Sequence, residues 1–255
     1  MGNIMPAVLV TGGTGYIGSH TVVELMAAGM EVVILDNLEN STIEVMDGIT
    51  AITGKAPHFE KVDLRNKHAT FSVFGKYPGI GAVIHFAAYK AVGESVEKPL
   101  AYYENNLLSL VNLLEAMQAH GVDRIVFSSS CTVYGQPEKV PVTETSPVKA
   151  ANSPYGNTKQ VSEEILRDVV TSRPATQVIS LRYFNPIGAH PSARIGELPL
   201  GIPLNLVPFI TQTAIGIRDT LRVFGDDYNT PDGSAIRDYI NVVDLAKAHV
   251  VAIRR

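Results

Sequence analysis

Tyr155 and Lys159 stand four residues apart in the run Ser-Pro-Tyr-Gly-Asn-Thr-Lys. On a helix that spacing puts both side chains on one face. A phenol with a pKa of about 10 is a weak base near neutrality. An adjacent ammonium favours the phenolate and lowers that value, so the pair reads as a general base for an alcohol proton. The same spacing suits an exposed helix face, but Pro154 at the first helical position and a nucleotide loop upstream favour the base. Ser130 and Thr132 follow the apolar run Ile125-Val126-Phe127. At the end of a strand they are placed to hydrogen-bond a substrate hydroxyl, although caps and turns use the same residue types. Cys131 between them reads as a small packed residue, since no histidine lies near it in sequence.

Upstream, residues 7–18 read Ala-Val-Leu-Val-Thr-Gly-Gly-Thr-Gly-Tyr-Ile-Gly. Gly12, Gly15 and Gly18 recur every third residue, and Gly13, Gly15 and Gly18 satisfy G-x-G-x-x-G. Glycine there lets backbone amides approach a pyrophosphate at a helix N-terminus, whose dipole favours anions. The motif alone describes any tight turn. Its position between an apolar run and a helical pattern makes it a dinucleotide fingerprint. Asp36 ends the second apolar run, with Asn37 beside it. A carboxylate there accepts from adenosine ribose hydroxyls and repels a 2′-phosphate, which favours NAD over NADP; its bland role is a turn acid. A positively charged nicotinamide would add to the pull on the Tyr155 phenol. Asp63-Leu64, after a third strand, could hold the adenine edge or simply lie on the surface.

These groups need a frame. Ala7-Val10, Glu31-Leu35, Ala82-Phe86, Arg124-Phe127 and Gln177-Leu181 are short apolar runs without alternation, as in strands covered on both faces. Helical patterns lie between or after them at Tyr16-Ala28, Tyr103-His120, Ser153-Thr171, Asn205-Ile217 and Val242-Arg254. Gly29 and Gly121 fall where helices end on a left-handed residue. The order predicts an α/β fold, a doubly wound parallel sheet of the Rossmann kind. The pattern weakens after residue 185, where Pro186, Pro191, Pro199 and Pro203 crowd a loop-like stretch. The expected division is a dinucleotide-binding domain over 1–185. Residues 186–255 would form part of a substrate-binding region with a returning Rossmann segment.

Composition narrows the class. The chain has 255 residues with 25 acidic and 21 basic side chains, a net charge of −4, and no basic residue before Lys55. A nucleic-acid binder usually carries a basic excess. A secretory signal needs a positive n-region, and Pro6 spoils a myristoylation match at Met1-Gly2. No run approaches the roughly 18 apolar residues of a membrane span. One cysteine makes no internal disulfide and no cysteine-based zinc site. No cluster has metal-ligand spacing, and His85 and His249 sit in apolar runs where a core role is expected. The expectation is a cytoplasmic protein with no nucleic-acid, membrane or metal partner.

Thr-Gly-Gly-Thr-Gly-Tyr-Ile-Gly-Ser-His, Leu-Asp-Asn-Leu, His-Phe-Ala-Ala-Tyr-Lys-Ala-Val-Gly-Glu-Ser, Ser-Ser-Ser-Cys-Thr-Val-Tyr-Gly, Ser-Pro-Tyr-Gly-Asn-Thr-Lys and Leu-Arg-Tyr-Phe-Asn-Pro-Ile-Gly-Ala-His-Pro occur in this order. Together they resemble the UDP-glucose 4-epimerase family of extended short-chain dehydrogenases/reductases, from residue 7 to the end. The resemblance implies that Gly12, Gly15, Tyr16, Ile17 and Gly18 bind the NAD pyrophosphate. Asp36 and Asn37 would bind the adenosine ribose, and Asp63 and Leu64 would line the adenine pocket. Phe86, Ala87, Lys90 and Asn105 would lie along the cofactor. Ser130 and Thr132 would meet the hexose, with Tyr155 as base and Lys159 on the nicotinamide ribose. Tyr183, Phe184 and Asn185 would meet nicotinamide and sugar, and Lys90 would also touch substrate. Asn205, Phe224 and Arg237 would take the UDP end; without the resemblance, Arg237 reads as a surface ion pair with Asp238 or its neighbours.

The implied reaction interconverts UDP-glucose and UDP-galactose through transient oxidation at C4, in a homodimer. The helical patterns at Tyr103-His120 and Ser153-Thr171 would form the subunit contact, or else belong to the core. Two departures stand out: Tyr89 where the family carries a smaller residue, and Cys131 where it usually carries alanine. Family members also continue beyond Arg255, so part of the substrate wall would be missing here. The alternatives are another nucleotide-sugar epimerase, or an NAD-binding protein or fragment without turnover. A dehydratase needs an acid pair after the strand-end hydroxyl, where this chain has Cys131, Thr132 and Val133.

Overall fold

The computed structural model describes residues 6–255; the Met1-Gly2 start lies outside them. In chain order the elements are β1 (Ala7–Thr11), α1 (Tyr16–Ala27), β2 (Val32–Asp36), α2 (Val45–Thr53), β3 (His58–Lys61), α3 (Lys67–Lys76) and β4 (Ile80–His85). There follow α4 (Val92–Glu97), α5 (Pro99–Tyr103), a π turn (Glu104–Leu108), α6 (Ser109–Ala119), β5 (Arg124–Ser128) and a 3-10 turn (Cys131–Tyr134). The chain continues through α7 (Pro154–Ser172), β6 (Gln177–Leu181), β7 (Asn185–Ile187), α8 (Leu206–Ala214), β8 (Tyr239–Asn241) and α9 (Val242–Ile253).

Six strands form one parallel sheet in the order β3-β2-β1-β4-β5-β6. Unalternating apolar strands suit a sheet buried on both sides. Leu9, Val33, Leu35, Val83, Ile125 and Phe127 point to a core layer shared with Phe74, Leu113, Met117 and Leu166 of α3, α6 and α7. Val8, Val10, Ile34, Ile84 and Val126 point the other way, onto Val22 and Leu25 of α1 and Val250 and Ile253 of α9. The sheet winds outward from β1 in two directions, through β2 and through β4. A ligand crevice opens at such a reversal, outside the carboxyl ends of the strands.

All five apolar runs are strands, and Gly29 and Gly121 adopt φ of +80° and +69° just past helix ends. The structure adds what apolar periodicity did not display. Strand β3, His-Phe-Glu-Lys, is a half-exposed edge with no apolar run. Helices α2, α3 and α4 are short and were not among the expected patterns. The pattern at Tyr103–His120 is helical throughout: α5, the π turn at Glu104–Leu108 and α6 follow one another without a gap, so the helix begins at Pro99, four residues before the expected start. Beyond residue 185 only the two-stranded β7-β8 sheet, α8 and α9 are regular.

Candidate active site

The crevice begins at the turn between β1 and α1. Gly12 has φ +70°, and a Cβ there would lie 2.8 Å from the Ala87 nitrogen. A Cβ on Gly18 would lie 2.1 Å from the Gly12 oxygen. Both glycines are therefore set by packing of the turn on itself and on the end of β4. Gly15 begins α1, and neither a side-chain cap nor a first-turn acid serves that helix. Its first amides thus face the crevice mouth with the positive end of the helix dipole. Tyr16 donates its hydroxyl to the Gly188 carbonyl at 2.6 Å, which ties the turn to the loop after β7. Burial, then the Glu197 charge, push that phenol well above its ordinary pKa.

Asp36 is buried at the end of β2. One carboxylate oxygen accepts from the Thr14 amide at 3.2 Å, and the other from the Leu38 amide at 2.9 Å. The turn role weighed for this acid is real, and it aims the carboxylate at the glycine loop. Leu38 takes φ +63° to receive it, a left-handed conformation that costs a branched residue about 1 kcal/mol or more. Asn37 bonds Glu39, and Asp63 is gripped by Arg65, whose hydrogen bonds hold the carboxyl below its ordinary value. Leu64 departs from expectation: its side chain is buried in the core layer, and its carbonyl accepts from Asn112 at 2.8 Å. Only its backbone neighbourhood borders the crevice.

Four residues converge at the ends of β5 and β6. Lys159 is 5 % exposed, and its ammonium donates to the Ser128 carbonyl at 2.7 Å. Burial lowers its pKa to about 8, against a smaller opposing pull from Glu163. Its Nζ lies 4.9 Å from the Phe127 ring centre and 5.9 Å from that of Tyr155. The Tyr155 phenol is raised to about 12 by burial, with a hydrogen bond from Ser130 opposing. Burial thus outweighs the Ser130 contribution, and the lowering expected from Lys159 and a cationic nicotinamide together is not supplied by the protein's own groups. The Tyr183 hydroxyl bonds the Ser128 hydroxyl and is likewise raised by burial. Ser130 caps the following turn by accepting from the Thr132 amide at 3.2 Å, so the cap reading also holds. The Thr132 hydroxyl is buried without a partner.

A cavity of about 330 Å³ opens beside these groups, bordered by Cys131, Thr132, Tyr134, Ser153 and Phe184. Cys131 is half-buried there, and its thiol is pushed up by burial. Phe86 packs on the His249 ring at 4.7 Å, and Ala87 lies under Gly12. Asn105 sits in the π turn and donates to Asn106, which in turn bonds Tyr89 and Thr158. Lys90 and Asn205 meet at one carboxylate, Glu197, at 3.6 and 2.5 Å. Asn185 donates to the Asp238 carbonyl at 2.8 Å. Phe224 is not brought to the site: it is 95 % exposed in an irregular stretch with nothing packed on it. Arg237 has no ion pair among the described residues, so the surface pair with Asp238 is absent, and its charge is felt at Cys131.

Glu163, Arg182, Asn106 and Glu197 belong to this arrangement and were not anticipated. Glu163 was within reach, one further turn along the face of Tyr155 and Lys159. Glu197 meets Lys90 across more than a hundred residues, which no local pattern encodes.

A glycine loop at a helix N-terminus, a buried acid at a strand end and a Tyr-Lys pair beside a strand-end hydroxyl thus lie along the carboxyl ends of one sheet. The family model for NAD dependent epimerases/dehydratases matches residues 8–255. The chain belongs to that family. A UDP-glucose 4-epimerase of Oryza sativa subsp. japonica is 53 % identical over 255 residues, covering 99 % of this chain and 72 % of that protein. The UDP-glucose 4-epimerase of Bacillus subtilis is 56 % identical over 249 residues, covering 98 % of this chain and 73 % of its own length. In three dimensions the chain is similar to the Bifidobacterium longum UDP-glucose 4-epimerase solved with NAD+ and UDP. The TM-score is 0.95 at 48 % identity, over 97 % of this chain and 74 % of the other.

Proposed function

We propose that this chain uses NAD to interconvert UDP-glucose and UDP-galactose. The observation that carries the proposal is the buried junction of Tyr155, Lys159 and Ser130 beside an open cavity. The identities to UDP-glucose 4-epimerases, and the NAD and UDP bound by the Bifidobacterium longum enzyme, support it. The residues fit NAD on two counts: an uncapped α1 at the glycine loop and a buried acid at the end of β2.

When bound, NAD accepts a hydride from the hexose C4 and returns it. The chain's own groups do the rest. Tyr155 takes the proton of the 4-hydroxyl as C4 is oxidised, and gives it back on re-reduction. Lys159, held by the Ser128 carbonyl, keeps a positive charge beside that phenol. Tyr155 stays high with the protein's groups alone, so its activation would draw on the positive charge that a bound nicotinamide supplies. Ser130 and Thr132 orient the hexose, and Phe184 borders the space in which it turns over. Gly12, Gly15, Tyr16, Ile17, Gly18, Asp36 and Asn37 hold the adenosine diphosphate half of the cofactor. Asp63, Phe86, Ala87, Lys90, Asn105 and Tyr183 complete that wall. Asn185 meets the sugar beside Phe184, and Arg237 and Asn205 take the UDP end, since a guanidinium pairs bidentately with phosphate.

The division near residue 185 is part of the same proposal. So is a homodimer: α4, α5 and the π turn carry Val96, Leu100 and Leu108 exposed, while α6 turns Leu110, Leu113 and Met117 inward. No helix among the described residues is long and apolar enough to cross a membrane. A cytoplasmic location suits the single free cysteine.

The test is a coupled assay of the 255-residue chain with UDP-galactose, scoring UDP-glucose, beside Tyr155→Phe. Turnover that disappears in the variant is the expected result. Absence of turnover in a chain that holds NAD would overturn the catalytic reading and leave an NAD-binding role.

A further inference from the structure

Along α7, Tyr155, Lys159 and Glu163 succeed one another at four-residue steps, a spacing that keeps them on one stripe of the helix. The stripe faces three consecutive serines. The Ser130 hydroxyl lies near the Tyr155 phenol and favours its ionised form, Lys159 donates to the Ser128 carbonyl, and Glu163 accepts from the Ser129 hydroxyl at 2.5 Å. None of the three lines the cavity at Cys131 and Thr132, and Glu163 lies away from it, beside Arg167 and Arg182 on the other side of the serines. It is 9 % exposed, and its carboxylate also takes the Arg182 guanidinium in a two-point grip at 2.9 and 2.5 Å. Arg182 follows β6 directly, and its guanidinium lies 5.0 Å from the centre of the Tyr134 ring, in the turn after Ser130. One carboxylate therefore joins α7, the end of β5 and the end of β6. Burial alone would raise this carboxyl; the bonds from Arg182 and Ser129 outweigh it and keep the acid charged.

We propose that Glu163 is a positioning residue for this active site: it clamps the Ser128–Ser130 segment to α7 and so sets the distances of Ser130 and Lys159 from Tyr155. The role rests on the epimerase reading above. Backbone bonds Ser129 N–H to Leu181 O and Cys131 N–H to Tyr183 O, at 3.0 and 3.1 Å, hold the strand ends together without Glu163. They leave the approach of α7 to side-chain bonds: Lys159 to the Ser128 carbonyl at 2.7 Å, Gln160 to the Val133 carbonyl at 2.9 Å, and Glu163, the one that holds a serine hydroxyl and Arg182 together. Misplacement of a reacting group by about 1 Å costs rates on the order of 100-fold, so a clamp on this segment acts on the chemical step rather than on binding.

Glu163→Ala removes the clamp. Glu163→Gln keeps an oxygen that accepts from Ser129, and Ser129→Ala removes only the serine arm. Each is compared with the unmodified chain by amide hydrogen exchange over residues 128–132, and by kcat, KM for UDP-galactose, bound NAD and Tm. Glu163→Ala is expected to speed exchange in that segment and lower kcat by about 10- to 100-fold. KM should stay within about two-fold, as for an interaction felt mainly in the transition state, and bound NAD should be unchanged. Glu163→Gln should recover most of the loss. The Ser129→Ala/Glu163→Ala pair should be no worse than Glu163→Ala, because both act through one contact. Unchanged exchange in the segment overturns the clamp, as do losses of kcat, KM, NAD content and Tm that move in step. If Glu163→Ala does not fold, Ser129→Ala carries the test, with faster exchange expected and unchanged exchange decisive against it. Exchange does not depend on turnover: an unmodified chain that fails to convert UDP-galactose sinks the epimerase reading, while the exchange difference judges the clamp.

Discussion

The Lys159 ammonium reaches from α7 across to the Ser128 carbonyl on β5, while the Arg237 guanidinium reaches no further than the carbonyl of Ile236 beside it. The same contrast runs through both regions. Before residue 185 most candidate groups are buried or half-buried and tied to other elements, Asp36 to the glycine loop, Tyr183 to Ser128 and Lys159 to β5, with Lys90 and Phe184 as the exposed exceptions. Between residues 198 and 236, Leu198, Leu204, Val223, Phe224 and Ile236 stand exposed, and Asn205 bonds only the nearby Glu197. The groups proposed for proton transfer are pre-set by the fold, which spares their ordering at the moment of reaction. The groups proposed for the nucleotide end gain most of their order from the ligand.

The largest expected effect strikes the pre-set region. Tyr155→Phe removes the base while leaving its ring packing, so kcat should fall by about 10²- to 10⁴-fold with bound NAD and Tm unchanged. Retention of more than a tenth of kcat would mean that another group takes the proton. Next comes Gly18→Ala. Its Cβ would meet the Gly12 oxygen at 2.1 Å, a backbone clash no rotamer relieves. A loss on the order of 3 kcal/mol and of NAD binding should follow, read from Tm and cofactor content. Gly225→Ala is its control: the added carbon would meet only the flexible Asp227 carboxylate at 3.2 Å. It should change stability by no more than about 0.5 kcal/mol. Equal sensitivity at the two glycines would erase the contrast.

That contrast also decided what the sequence disclosed. Central strands, the glycine loop and the Tyr-Lys pair are local patterns, and each lies where its period or spacing placed it. The edge strand β3 is half-exposed and lacks the apolar run that betrays a buried strand. The π turn widens one turn of a helix whose amphipathic pattern continues through it, so the pattern shows the helix and not the turn. The network at Glu163 was only partly legible, because Arg182 belongs to it through the meeting of two strand ends. The pKa of Tyr155 was legible only in part, because four-residue spacing reports neighbours and not solvent: burial, which sequence does not quantify, dominates it in the protein alone. Phe224 failed for the opposite reason, since the fold of these residues brings nothing to cover it.

Arg237→Ala sharpens the comparison from the other side. With no internal ion pair to lose, the variant should keep its Tm. KM for UDP-galactose should rise about ten-fold, the equivalent of about 1.4 kcal/mol, with kcat little altered. A fall in Tm would mean that Arg237 is part of the packed structure after all, and unchanged KM would remove it from the diphosphate site.

The smallest expected effect per unit change lies in the response to acid. His85 and His249 are wholly buried, and burial lowers their pKa values to about 3 and about 4. In the unfolded chain a histidine titrates near 6.5, so as pH falls below that value the unfolded state takes up protons that the folded state refuses. Stability contributed by the neutral rings is complete above about pH 6.5 and declines toward pH 4, by roughly 1 kcal/mol per pH unit for each ring. Carboxylates such as Asp63 and Glu163, lowered in the fold, add their own loss in the more acid part of that range. Denaturant titrations at pH 7, 6 and 5 on His249→Gln, beside the unmodified chain, isolate one ring. The variant should show a shallower decline between pH 6.5 and 5, since glutamine takes up no proton in either state. A parallel decline would place the acid sensitivity outside the packed Rossmann half, and with it the claim that this half alone is held by buried, desolvated groups.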